Sequence, residues 1–180
     1  MSKLGFSTAS LYIQANIVNR MLGFIILFFS SSIFSSTLEN LDFNVELPNN
    51  WALISHSKEE LRWVYQSSLG ESRLTVSVLY YTAEPTHKQQ EKIVKDFITA
   101  RKQQTQIIDP SVSFNSDKLQ EHPTGWVARY TEVSKKNRFA KNKTIATRIG
   151  VANFYLESFD DLKTFEYLSK EILSTTGFSS

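Results

Sequence analysis

The stretch Leu41-Asp42-Phe43-Asn44-Val45-Glu46-Leu47-Pro48-Asn49-Asn50-Trp51 decides the fold. Its first seven positions alternate apolar and polar, the period of two that marks a half-buried strand. Pro48-Asn49-Asn50 then turns the chain, because Pro fixes its own backbone and Asn tolerates left-handed conformations. Trp51 to Ile54 begins a return strand, and Ser57-Lys58-Glu59-Glu60 breaks it. Leu61, Trp63 and Tyr65 alternate again, and Ser68-Leu69-Gly70-Glu71 reads as a hairpin turn. Leu74, Val76, Val78 and Tyr80 give the cleanest strand of the chain.

After Pro85 the period changes. Ile93, Val94, Phe97, Ile98 and Arg101 recur at helical spacing between Thr86, the expected N-cap, and about Gln106. Lys88, Lys92, Lys95 and Lys102 cover the other face. The period of two then returns: Val112 and Phe114 mark a short strand, Trp126, Ala128 and Tyr130 a second, and Ile145 to Leu156 a long third. Asp160-Asp161 opens a closing helix with the stripe Leu162, Phe165, Leu168 and Ile172, and Gly177 is its expected C-cap. Runs of strands separated by single helices predict an α+β domain, a mostly antiparallel sheet with helices packed on its faces. Parallel winding would need a helix between every pair of strands.

Phe43-x-Val45-x-Leu47-Pro48-x-x-Trp51 resembles the opening of the Mog1p/PsbP-like superfamily, an apolar strand followed by Pro-x-x-Trp. The Gly125-Trp126-Val127-Ala128-Arg129-Tyr130 strand and the closing Asn153-Phe154-Tyr155 to Ile172 and Phe178 strand-plus-helix are similar in placement. The resemblance implies an α/β/α sandwich, a sheet with helices on both faces. Proteins of this kind include thylakoid photosystem subunits, bacterial envelope proteins, a Ran-binding factor and chaperones of secretion effectors. The resemblance implies binding to other proteins and brings no catalytic residues with it.

Ahead of this domain stands a leader. Arg20, the apolar run Leu22 to Phe29 and the Ser-rich Ser30 to Ser36 have the layout of a secretory signal peptide. Leu22 to Phe34 is shorter than the roughly 20 apolar residues of a bilayer span. The division expected is 1–36 signal peptide and 37–180 a single domain, with Met21 a second candidate start and an uncleaved anchor the alternative. The absence of Cys excludes a lipoprotein, so the expected location is the Gram-negative periplasm. Of 20 Lys and Arg, Lys3 and Arg20 lie in the leader, while all 18 Asp and Glu follow it, so the exported part carries 18 of each. A net charge of zero argues against nucleic acid as a partner. About 140 residues bury enough surface to hold a core without disulfides.

Chemistry-bearing patterns are sparse. His56, His87 and His122 lie far apart, and His87 with Glu91 gives only two metal ligands on one helix face. There is no Gly-x-Ser-x-Gly elbow and no Gly-rich phosphate loop. No cofactor, metal or catalytic residue is expected, and a hydrolase with a dispersed site is the least favoured reading. Trp51, Trp63 and Trp126 fit core positions in strands.

The best surface feature is basic. Lys135, Lys136, Arg138, Lys141, Lys143 and Arg148 lie between Glu132 and Glu157 with no acid among them. Phe139, at the centre, is predicted at a loop tip, a charged arm with an aromatic anchor suited to an acidic protein partner. The partner-binding set is thus Lys135, Lys136, Arg138, Phe139, Lys141 and Lys143. The alternative is a solvated, edge-protecting hairpin with Phe139 folded onto the sheet. The function expected is a non-catalytic periplasmic protein-binding module, most specifically an immunity protein that neutralises a toxin delivered by type VI secretion. The alternative is a PsbP-like envelope assembly or stability factor.

Overall fold

The computed structural model describes residues 43–116 and 119–178, all within one compact unit, Phe34–Ser180. The leader 1–36, its start and cleavage sites, and Leu41 and Asp42 lie outside the described residues. Strands β1 (Phe43–Asn44), β2 (Trp51–Ser57), β3 (Arg62–Ser67) and β4 (Ser72–Tyr80) precede helix α1 (His87–Ile108). Strands β5 (Ser113–Ser116), β6 (Gln120–His122), β7 (Gly125–Val133), β8 (Phe139–Ala146) and β9 (Gly150–Ser158) follow, then α2 (Leu162–Thr175) and β10 (Gly177–Phe178). The main sheet runs β2-β3-β4-β9-β8-β7-β5, with β6 also on β7, and every pairing is antiparallel.

The predicted opening strand keeps its burial pattern but not its pairing. Phe43, Val45 and Leu47 are buried, yet only Phe43–Asn44 pairs, and with β10 rather than β2. This small two-stranded sheet joins the start of the domain to its end. The long third strand read over Ile145–Leu156 is in fact a hairpin. Thr147 turns it, its hydroxyl accepting the amides of Ile149 and Gly150 at 3.2 and 3.3 Å, so side-chain oxygen replaces ladder hydrogen bonds. The C-cap of α2 is Thr176 in extended conformation, not Gly177, which begins β10.

Alternation along the strands builds two cores. Val127, Ile145 and Ala152 point to one face, where they meet Phe165, Ile172 and Leu173 of α2 together with Leu74, Val76, Phe154 and Leu156. Their neighbours Ala128, Ala146 and Val151 point to the other, beneath Val94 and Ile98 of α1. Helices therefore cover both faces, and the predicted α+β sandwich holds. Thr86 caps α1 through a reciprocal box, its amide donating to Gln89 Oε1 at 2.7 Å and its hydroxyl accepting the Gln89 amide at 3.3 Å, which satisfies two amides that the helix leaves open. The two faces differ in kind. The α2 side is a large apolar core, whereas the α1 side buries only Gln90 and Val94 of its helix and leaves Phe97 half-exposed.

Candidate functional site

The structure scatters the predicted basic set. The turn between β7 and β8 spans residues 134–138, so Phe139 is the first residue of β8 and not a loop tip. Its ring stacks on Phe165 of α2 at 5.8 Å. Lys143 is 4 % exposed and buried under the end of α2, where its Nζ donates to the carbonyls of Leu173 (2.8 Å) and Thr176. Lys141 lies half-buried on that same face. Arg138 points the other way, under α1, and only Lys135 and Lys136 stand exposed at the turn. Alternation in β8 explains the split: odd positions face α2 and even positions face α1.

Under the C-terminal half of α1 is a polar cluster that the sequence reading did not find. Glu132 is 0 % exposed. Its Oε2 accepts the Tyr155 hydroxyl at 2.8 Å and Arg138 Nη2 at 3.1 Å, and Arg138 Nη1 donates to the same Tyr155 oxygen at 2.6 Å. Thr105 of α1 donates to Glu132 Oε1 at 3.3 Å, tying the helix to the sheet. Arg101 lies over the Tyr155 ring, 5.1 Å from its centroid, and Lys102 over Tyr130 at 4.9 Å. Burial first, and then the Glu132 carboxylate, push the Tyr130 and Tyr155 phenols well above their ordinary range, so both keep their protons. The sequence signal was a polar stripe in strands otherwise rich in apolar residues, the even positions Tyr130, Glu132 and Asn142 of β7 and β8 and the odd positions Asn153 and Tyr155 of β9.

This cluster forms the floor of an open trough. One cleft of about 380 Å³ lies between α1 and the turn, with Gln104, Ile108 and Arg101 on the helix wall, Lys136 and Arg138 opposite, and Tyr155 below. A second of about 360 Å³ continues along the helix to Phe97, floored by Thr75, Ser77 and Asn153 and edged by Arg62. The two share Arg101, Gln104, Tyr155 and Glu157. Glu157 is 4.0 Å from both Arg73 and Arg138. Asp109, where α1 ends, accepts Ser134 Oγ at 2.6 Å and Ser111 Oγ at 2.6 Å and so fixes the turn beside the helix end. Two of the six predicted residues, Lys136 and Arg138, belong to this trough.

Among the described residues no three of His, Asp and Glu come together as metal ligands. His87 Nε2 meets Glu121 Oε1 at 2.8 Å, while Lys95 donates to Glu91 at 2.5 Å, so the two helix residues are drawn to different partners. Among the described residues no helix is long and apolar enough to cross a membrane.

No family model matches the sequence, and a search of the curated proteins finds no match. Among solved structures the chain is similar to cyanobacterial PsbP (CyanoP) from Synechocystis sp. PCC 6803, determined in solution. The two are 11 % identical with a TM-score of 0.50, over 76 % of this chain and 86 % of that one. Identity that low speaks to architecture alone. With its antiparallel sheet between two helices, its paired domain ends and this structural likeness, the chain has the PsbP-like fold expected from its Pro48-x-x-Trp51 opening.

Proposed function

We propose that this protein is a non-catalytic, exported protein-binding factor that assists the assembly or stability of a resident envelope complex. The observation that carries the reading is the trough along α1. Its polar side chains are held in mutual hydrogen bonds and ion pairs, an arrangement suited to recognition by complementary charge. The PsbP-like fold, a scaffold on which function resides in the surface rather than in the core, agrees with it. The leader Arg20 with Leu22–Phe29 supports export to the periplasm. No feature of the described residues favours the toxin-neutralising reading over this one.

The test is affinity capture from the envelope fraction of native cells, with and without chemical crosslinking. A multi-subunit envelope complex should be recovered, and its assembled level should fall when the gene is deleted. Recovery of one secreted protein that kills cells lacking this chain would replace the reading with the immunity function. Recovery from the cytosol with the leader intact would remove the exported part of it.

A further inference from the structure

The trough has a direction, a length and a charge, and together these specify an occupant. Its helix wall is the face Phe97, Arg101, Gln104, Ile108, spaced so that all four look the same way. Eleven helical steps cover about 16 Å, the reach of about five residues of extended chain at about 3.3 Å each. The cations are spread along it: Lys136 at one end, Arg101 in the middle and Arg62 at the other. Lys136 is 3.9 Å from Asp109 and 73 % exposed at its side chain. Arg62 is exposed and has no acidic partner among the described residues. Arg101 is held over the Tyr155 ring while its Nη1 donates to Gln104 Oε1 at 3.3 Å, so the guanidinium is positioned before any ligand arrives. The three acids of the floor and its edge are already engaged, Glu157 by Arg73 and Arg138, Glu132 by Arg138, and Asp109 by Lys136, and they are outnumbered by Arg62, Arg101, Lys136 and Arg138. The surplus charge is therefore positive.

Each end of the trough also carries an apolar side chain beside its cation, Phe97, half-buried, near Arg62 and Ile108, 75 % exposed, near Lys136. Strand backbones on the floor are already paired within the sheet, so a ligand is read by side chains and not by added β pairing. A polyphosphate would meet Glu157 and these apolar side chains with nothing to offer either. An extended peptide sends alternate side chains to one face, which matches charges separated along a line.

Building on the protein-binding reading above, we propose that the trough between α1 and strands β3, β4 and β9 binds an extended acidic segment of a partner protein. The segment is about five residues long, its carboxylates pairing with Arg62, Arg101 and Lys136 and an apolar side chain seated against Ile108 or Phe97.

The probes are two acetylated, amidated peptides, Glu-Glu-Ser-Leu-Glu and Gln-Gln-Ser-Leu-Gln, in which positions 2 and 4 face the helix wall and positions 1 and 5 the opposite one, titrated into the protein purified from the envelope fraction and followed by amide NMR shifts. The acidic peptide should shift resonances of Ser77, Arg101, Gln104 and Asn153, and the neutral one should bind at least tenfold more weakly. Arg62→Glu should lower the acidic peptide's affinity about tenfold or more. Lys135→Glu makes the same charge change outside the trough and should leave it nearly unchanged. Equal losses in the two variants, shifts scattered over other surfaces, no binding at millimolar peptide, or tighter binding of a polyphosphate of similar length would each overturn the proposal. The two readings fail separately. A captured envelope partner that binds the Arg62→Glu protein as well as wild type removes the trough and keeps the factor; trough-specific peptide binding with no envelope partner does the reverse.

Discussion

Phe139 lies nearly flat on Phe165, ring centroids 5.8 Å apart and planes inclined by 26°. The pair joins the first residue of β8 to the buried stripe of α2, so the aromatic residue in the basic segment belongs to the core. Phe165 is 2 % exposed, and Phe165→Ala should cost about 3–5 kcal/mol. Phe139→Ala, at a half-buried position, should cost about 1–3 kcal/mol. The double variant should show a coupling of about 0.5–1.5 kcal/mol, the value of an aromatic pair beyond its buried area. Urea unfolding of the four proteins measures this. Strict additivity would mean that the rings do not interact.

Glu132 and Arg138 are the charged pair beneath α1, with side-chain exposures of 0 % and 15 %. Glu132→Gln leaves the guanidinium short of its counter-charge and should cost about 3–5 kcal/mol. Replacing the whole group with apolar side chains of similar volume (Glu132→Met, Arg138→Met, Tyr155→Phe) removes every polar atom that needs a partner within the triangle. That triple variant should regain most of the loss, because desolvation of the ions offsets their attraction. If it is as unstable as Glu132→Gln, the network contributes by more than avoiding an unpaired charge.

The sheet, its antiparallel order, both helices and the Thr86 cap were legible because each depends on local periodicity and capping chemistry. What was not legible depends on which face a residue takes. Lys141 and Lys143 read as exposed partner-binding residues because the segment is basic, yet odd positions of β8 turn toward α2. Lys143 is tolerated there because the open carbonyls at a helix end accept its protons. The Ile145–Leu156 run looked continuous because Thr147, a good strand former, makes the turn through its hydroxyl. The trough was missed for a further reason. Arg62, Arg101, Lys136 and Tyr155 come from four different elements, and only the pairing β3-β4-β9-β8 brings them together.

Asp109 gives a prediction in acid. Hydrogen bonds from Ser111 and Ser134 hold its carboxyl down to about 2, against an ordinary 3.8. A depressed folded value means that the stabilisation is complete above about 4 and is lost as pH falls toward 2. The turn that carries Lys136 should loosen over that window. NMR of the Ser134 and Lys136 amides should follow the same titration, and Asp109→Asn should abolish it. An Asp109 titration at the ordinary value would show that the two serines do not hold the carboxylate.

Lys143 gives the opposite behaviour in alkali. Burial, with Arg129 adding to it, lowers its amine from 10.5 to about 8. The unfolded chain therefore keeps a proton between about 8 and 10.5 that the folded chain has released. Stability rises with pH wherever the unfolded state binds more protons, so this group should favour folding increasingly over that range and contribute no slope below it. Other groups titrate there too, and the clean observable is the stability difference between wild type and Lys143→Met. The variant also loses the donor to the Leu173 and Thr176 carbonyls, but that loss is an offset independent of pH as long as the lysine still donates. The difference should move in favour of wild type from about pH 8 upward. A flat difference would place the amine at its ordinary value. A difference moving the other way would mean that the two carbonyls at the end of α2 outweigh burial and hold the charge.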